Sequence, residues 1–345
     1  MGSYTRRTFL KLAGVSLTGV ACASLPPADQ PPAYGLARST AYDTVVRSEP
    51  DPAAPVLRKL RRDEIVTVLE QITGEHGPQG NPRWFRLLDG FAHSGYLQEV
   101  RYNFNPVIYD IPSGGKLAEV TVPYTRSRDK PSAEAPPLYR LYYQAVFWVV
   151  ETVMDETGHA WYGLQDDRLA HKYFVSADHL RLFTEQELAP VSPDVPPEAK
   201  RIEVDLTKQS LAAFENDQAV FTATISSGWL RKDPEPGEGR TFTPVGQYSV
   251  FEKTPSRHMG DGRLTSELDA NELPGVPFVS FFHMQGTAFH GVYWHNNFGV
   301  PCSEGCINMR PNEARWLYRW IYPTVAYVPD PPQFIGKGTK VYLHD

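Results

Sequence analysis

Two of the chain's three cysteines, Cys302 and Cys306, stand four residues apart in "GVPCSEGCINMRPNEARWLYRW", with His283, His290 and His295 just upstream. A thiol becomes a nucleophile when a base can take its proton and amide donors can receive the oxyanion that forms. Cys306 with His290, sixteen residues before it, is therefore a candidate thiol acyl-transfer pair. Gly305, directly before Cys306, lets the backbone turn local N–H groups toward one point. Other chemistries compete for these residues. Zinc takes Cys and His, but a His pair five apart and a Cys pair four apart match no closed zinc pattern, and no H-E-x-x-H occurs, so no metal and no other cofactor is expected. A Cys302–Cys306 disulfide needs a special turn geometry for which Ser303-Glu304-Gly305 gives no argument. Cys302, in V-P-C-S, matches no nucleophile setting, although it remains a second thiol.

The elements that must position this pair read as short strands. "IEVDL" and "AVFTATIS" alternate apolar and polar residues around the turn-like Glu215-Asn216-Asp217, which is a hairpin signal. "TFTPVGQYSVFEK" continues the pattern, with Thr243-Pro244-x-Gly246 as a strand-entry turn near the site. His283, inside the apolar "FVSFFHMQ", reads as a packed strand residue. If a strand carries His290 in and a loop returns the chain, the imidazole and the thiol meet. From Pro311 to about Trp320 a helix is predicted: Pro311 suits its first position, Glu313 its first turn, and Trp316, Leu317 and Trp320 share one face.

The whole chain, 345 residues with 41% hydrophobic, can bury substantial cores and is long enough for two or three domains. Thirty-one prolines, 26 glycines and 12% aromatics favour short strands and turns. The net charge of -6 argues against a nucleic-acid partner.

Residues 1–23 resemble a twin-arginine export signal: Thr5 to Lys11 match S/T-R-R-x-F-L-K, and a short apolar run ending in small residues follows. "GVAC" resembles a lipoprotein signal, which would anchor the chain to a membrane through Cys22, whereas "ACA" fits plain cleavage after Ala23; both remain open. Either way the expected location is the cell envelope outside the cytoplasmic membrane. Residues 24–41 read as a Pro-rich linker and residues 186–200 as a second Pro-rich break. Between them the sequence repeats once at an offset of about eighty residues. Arg47, Pro55-Val56-Leu57, Trp84-x-x-Leu87 and His93-x-x-Tyr96 find echoes in Arg126, Pro136-Pro137-Leu138, Trp161-x-x-Leu164 and His171-x-Tyr173. This tandem, 42–104 and 105–185, resembles bacterial SH3-like domains. Whether the pair would bind cell wall, act as a spacer or shield a groove stays open.

Over residues 201–343, "IEVDLTKQSL", "TPVGQY", "FHG" and "SEGCIN" occur in the order and spacing of an L,D-transpeptidase (YkuD-type) catalytic domain, which the segment resembles. That family's signature is HG or HS followed by S-H-G-C-x-N or S-H-G-C-x-R. Here His290-Gly291, Ser303, Gly305, Cys306 and Asn308 occupy it, and Glu304 replaces the histidine before Gly-Cys. A carboxylate there raises the thiol pKa unless paired, and Arg310 is the expected partner. The resemblance implies a mostly β chain: two small SH3-like barrels, then a β-sandwich with a short helix near the cysteine. It implies acyl transfer with peptidoglycan stem peptides as donor and acceptor. In that scheme Cys306 is the nucleophile, His290 the base, the Gly291 carbonyl its orienter, and backbone N–H groups around Gly305 and Cys306 the oxyanion donors. Asn308, His295, Tyr293, Trp294 and Arg310 are candidates for lining the groove. The alternative is a peptidoglycan-binding envelope protein with a weak or inactive catalytic domain.

Overall fold

The computed structural model describes residues 35–345 except 170, 230–241, 326, 328–332 and 335–337. The export-signal reading, including Cys22, and the first part of the linker lie outside the described residues.

Strands β1 (Gly35–Ser39), β2 (Thr44–Arg47), β3 (Val56–Leu60), β4 (Ile65–Thr73), β5 (Arg83–Leu87), β6 (Gly90–His93) and β7 (Leu97–Val100) form a seven-stranded antiparallel sheet, ordered β3-β2-β6-β5-β4-β1-β7. β1 falls inside the stretch read as linker. Its five residues are too few to show alternation, and its inward polar residue, Arg38, hides the strand signal. Strands β8 (Lys116–Val120), β9 (Tyr124–Arg128), β10 (Pro137–Tyr142), β11 (Val146–Met154), β12 (Ala160–Gln165), β13 (Lys172–Ser176) and β14 (Leu180–Leu182) build a second sheet in the same order, β10-β9-β13-β12-β11-β8-β14.

The repeat is therefore topological, and the sheets correct two of its echoes. Arg47 donates to the Ala54 carbonyl, and the residue doing the same to Ala135 is Arg128, not Arg126. Trp84 pairs in register with His93, whereas Trp161 pairs with Ser176, so His93 corresponds to Ser176 and not to His171. Both echoes failed because residue identity shifted while position in the sheet was kept.

The remaining strands are β15 (Lys200–Asp205), β16 (Ser210–Glu215), β17 (Gln218–Thr224), β18 (Gly246–Ser249), β19 (Glu252–Gly260), β20 (Glu272–His283), β21 (Thr287–Gly291), β22 (Ile307–Met309) and β23 (Lys340–His344). They form two sheets, β17-β16-β15-β23-β18 and β19-β20-β21-β22. Ile202, Val204, Leu211 and Val341 from the first meet Phe278, Phe289, Ile307 and Met309 from the second in one core. Each such side chain stabilises the sandwich by roughly 1.5–3 kcal/mol through removal from water. The helix Pro311–Trp320 closes this core with Leu317 and Trp320 buried, and Trp316 stacks on Phe221 at 4.3 Å. Glu313 accepts the Arg310 N–H at 3.2 Å, capping the helix start.

Candidate active site

The site is built where β21 and β22 run side by side. They pair in parallel, Phe289 with Ile307, His290 with Asn308 and Gly291 with Met309. Alternation along a strand sends successive side chains to opposite faces. Phe289, Ile307 and Met309 enter the sandwich core, while Ala288 and Cys306 pack on the other side with Val276 and Val279. The same parity puts His290 and Asn308 on the face that holds Cys306. The apolar alternation that buries Phe289 and Ile307 thus places the imidazole and the thiol on one side of a two-strand ribbon.

His290 is buried, and its Nδ1 lies 3.1 Å from the Gly291 carbonyl. A carbonyl only accepts, so Nδ1 carries the proton and Nε2 keeps its lone pair. Burial, only partly offset by that carbonyl, lowers the His290 pKa to about 4. Cys306, a free and partly exposed cysteine, has its thiol pushed up to about 11, first by desolvation and then by the Glu304 carboxylate, against a backbone N–H from Ala288. Near neutral pH the thiol and the imidazole are thus both uncharged. Sγ stands 3.6 Å from the Gly286 carbonyl.

The turn that carries Cys306 is held from several directions. Cys302 and Ser303 donate their N–H groups to the Ser227 carbonyl at 2.9 and 3.0 Å. Ser303 Oγ donates to the Cys306 carbonyl at 2.6 Å and accepts the Gly305 N–H at 3.1 Å. Gly305 has φ +122°, a region L side chains rarely adopt. Its carbonyl accepts from Thr243 Oγ1 at 2.8 Å, which gives the Thr243-Pro244-x-Gly246 turn its structural place. The Gly305 N–H is committed to Ser303 Oγ, within the turn itself.

A cavity of about 260 Å³ opens on Cys306, lined by Gln285, Gly286, Thr287, Glu304 and Gly305. A second hollow of about 310 Å³, lined by Leu206, Ser227, Trp229 and Thr243 among others, contains neither Cys306 nor His290. The site chemistry belongs to the smaller one. Of the residues expected to line the groove, none of Asn308, His295, Tyr293, Trp294 and Arg310 does so. Tyr293 is buried with its hydroxyl donating to the Pro274 carbonyl at 2.8 Å. Trp294 lies against the His290 ring, 5.8 Å between centroids. Arg310 pairs with Glu313 at 3.2 Å, not with Glu304, because the helix cap holds that carboxylate beside it.

His295 is a structural residue. Its Nδ1 accepts the Asn297 N–H at 3.1 Å, and its Nε2 lies 2.8 Å from the Asn308 carboxamide. Burial first, and then the neighbouring His290, lower its pKa to about 3, so the ring is neutral with the proton on Nε2. The Asn308 carboxamide oxygen must therefore face Nε2, an orientation assigned from this network. Sequence reasoning missed Gly286 and Ala288, whose backbones contact the thiol, and Thr287, which lines the cavity. The one local signal that could have found them is Gly286 itself, a turn-forming residue that the structure holds at φ +88°.

Residues 199–343 match the family model of the L,D-transpeptidase catalytic domain, and over this segment the chain carries a domain of that family. Solved L,D-transpeptidases are similar over part of their length. The enzyme from Xylanimonas cellulosilytica is 25% identical, with 42% of this chain and 60% of that chain covered and a TM-score of 0.30. The Enterococcus faecium enzyme is 21% identical over 42% of this chain and 50% of its own, also at 0.30. L,D-transpeptidase 3 from Mycobacterium tuberculosis, bearing a faropenem-derived adduct, is 16% identical over 51% and 74% at 0.31. The match thus spans only half to three fifths of the first two enzymes. No curated protein matched.

Proposed function

We propose that the chain is an exported L,D-transpeptidase that joins peptidoglycan stem peptides through a cysteine acyl-enzyme. The observation that carries this reading is the β21–β22 register, which sets His290 beside Asn308 with Cys306 two residues earlier, inside a segment matching the family's catalytic domain. Cys306 Sγ attacks the carbonyl of the L-centre at stem position three, and its proton passes to His290 Nε2, held ready by the Gly291 carbonyl. The Cys306 N–H receives the oxyanion. The C–N bond to the terminal D-alanine breaks, and His290 returns the proton to the leaving amine. A side-chain amine of a second stem then attacks the thioester. The new amide C–N bond forms, the C–S bond breaks, and the proton lost by the amine restores the thiol. The twin-arginine pattern at Thr5–Lys11 supports delivery across the cytoplasmic membrane, where this substrate lies. Replacing Arg6-Arg7 by Lys-Lys should leave the unprocessed chain in the cytoplasm.

The test is intact-protein mass after mixing residues 34–345 with a disaccharide-tetrapeptide, beside Cys306→Ala. An acyl adduct with loss of D-alanine, absent from the variant, is expected; no adduct overturns the reading. A second reading, a wall-binding protein with weak catalysis, is favoured by one observation. Glu304 has no ion-pair partner among the described residues and helps hold the thiol protonated. Retained wall binding with no adduct would select it.

A further inference from the structure

The loop 292–300, which leads from His290 toward Cys306, is gripped by the first seven-stranded sheet. Arg38, 1% exposed, donates to the Tyr293 carbonyl at 2.8 Å, and also to Asp63 at 2.6 Å and the Gln98 side-chain oxygen at 2.8 Å. The Asn81 amide donates to Asn297 Oδ1 at 2.7 Å, and both residues are buried. The Gly95 carbonyl accepts the Asn296 N–H at 2.8 Å, and Arg83 donates to the Phe298 carbonyl.

These contacts lead inward along two routes. The Asn297 side chain hydrogen-bonds the Cys302 thiol, and Cys302 opens the turn in which Ser303 bonds the Cys306 carbonyl. His295, two residues before Asn297, meets Asn308 on the strand that begins just after Cys306. Trp294, next to the residue that Arg38 holds, lies on the His290 ring. The Cys306 turn is thus connected through buried polar contacts to Asn81, between β4 and β5, and the His290 ring through Trp294 to the residue that Arg38 holds.

We propose that the first sheet is a positioning element of the active site, with Asn81 a positioning residue that acts on Cys306 through Asn297 and Cys302. A module serving only as spacer or wall anchor does not need polar bonds buried against the loop between base and nucleophile. The inference rests on Cys306 and His290 being the reacting pair, not on the identity of the substrate.

The experiment compares residues 34–345 as wild type, Asn81→Ala, Gly95→Ala and Leu87→Ala. A methyl at Gly95 would stand 2.8 Å from Asn297 Oδ1 and 2.9 Å from the His93 ring, and would press on Asn297 without removing a bond donor. Leu87 lies in the first sheet's own core and serves as a stability control. Iodoacetamide alkylation of the Cys306 peptide is followed by mass from about pH 5 to about pH 11, a range spanning thiolate formation. Asn81→Ala and Gly95→Ala are expected to displace the pH–rate profile by about one pH unit, which changes the alkylation rate near neutrality by about tenfold. Leu87→Ala should keep the wild-type profile. Wild-type profiles in both interface variants would overturn the proposal, as would an equal shift in Leu87→Ala. If Asn81→Ala fails to fold, Gly95→Ala decides. A wild type that gives no adduct with the tetrapeptide defeats the substrate reading but leaves the alkylation profiles to judge this one.

Discussion

The Cys306 thiol is held protonated by burial and by Glu304, and His290 is held neutral by burial. A standing thiolate–imidazolium pair is therefore absent at neutral pH. Glu304 is exposed, so its effect is screened by solvent and salt. Glu304→Gln should lower the thiol pKa and raise the alkylation rate at neutral pH by about twofold at low ionic strength, with the gain shrinking as salt is added. Alkylation rates measured against pH at two salt concentrations check this, and an unchanged profile would remove Glu304 from the account of the thiol. Cys306 and His290 were legible from residue type and spacing. The fate of Arg310 was not, since Glu304 and Glu313 are equally plausible partners until the helix cap chooses between them.

At the scale of elements, the Ser303–Cys306 turn depends on a conformation that only glycine adopts without strain. Gly305→Ala forces a side chain to φ +122° and places its methyl 3.3 Å from the Phe242 carbonyl. A cost of about 1–3 kcal/mol is expected from such backbone strain. Thermal melting should fall by a few degrees, and acyl-adduct formation should drop by more than the melting change accounts for. Wild-type adduct formation in this variant would sink the turn's proposed role. The helix Pro311–Trp320 was readable because Pro311 and Glu313 mark its start and its apolar spacing is regular. Strand β1 was not: its buried Arg38 is satisfied by Asp63, Gln98 and Tyr293, partners remote in sequence.

Across the whole molecule, the second sheet is joined to the β19–β20 pair by a buried imidazole. His258 Nδ1 lies 2.7 Å from Asp166, on the segment after β12, and Nε2 lies 2.8 Å from Glu272. Two carboxylates only accept, so both nitrogens carry protons and His258 is an imidazolium. Burial lowers its pKa, but the bonds and charges of Asp166 and Glu272 outweigh burial and leave it above the ordinary 6.5. Asp167, which accepts the His258 N–H, and the Tyr139 ring also face this group. A raised folded pKa adds stability that is fully present below the unfolded value and is lost as pH rises through the folded one. The stability that His258 adds should therefore fade as pH rises above the ordinary histidine range, so the gap in melting temperature between the wild type and His258→Gln should narrow with rising pH. Equal slopes in the two proteins would show that this latch does not set the pH dependence.

The sequence by itself determined the strand-rich class, the helix after the cysteine and the family of the segment 199–343, and it nominated Cys306 and His290 as a candidate pair. Each is written in local pattern: the spacing of His290 and Cys306, alternation along strands, capping chemistry, and motifs in order. Tertiary structure alone decided that Tyr293, His295 and Asn308 are buried away from the cavity at Cys306, that Arg128 and Ser176 are the true counterparts of Arg47 and His93, and that the first sheet grips the loop between His290 and Cys306. The physical reason is one of range. A residue's type states what bonds it must make when buried, but Arg38 meets Tyr293, and Asn81 meets Asn297, across more than two hundred residues of chain, and only the packing of the sheets chooses such partners.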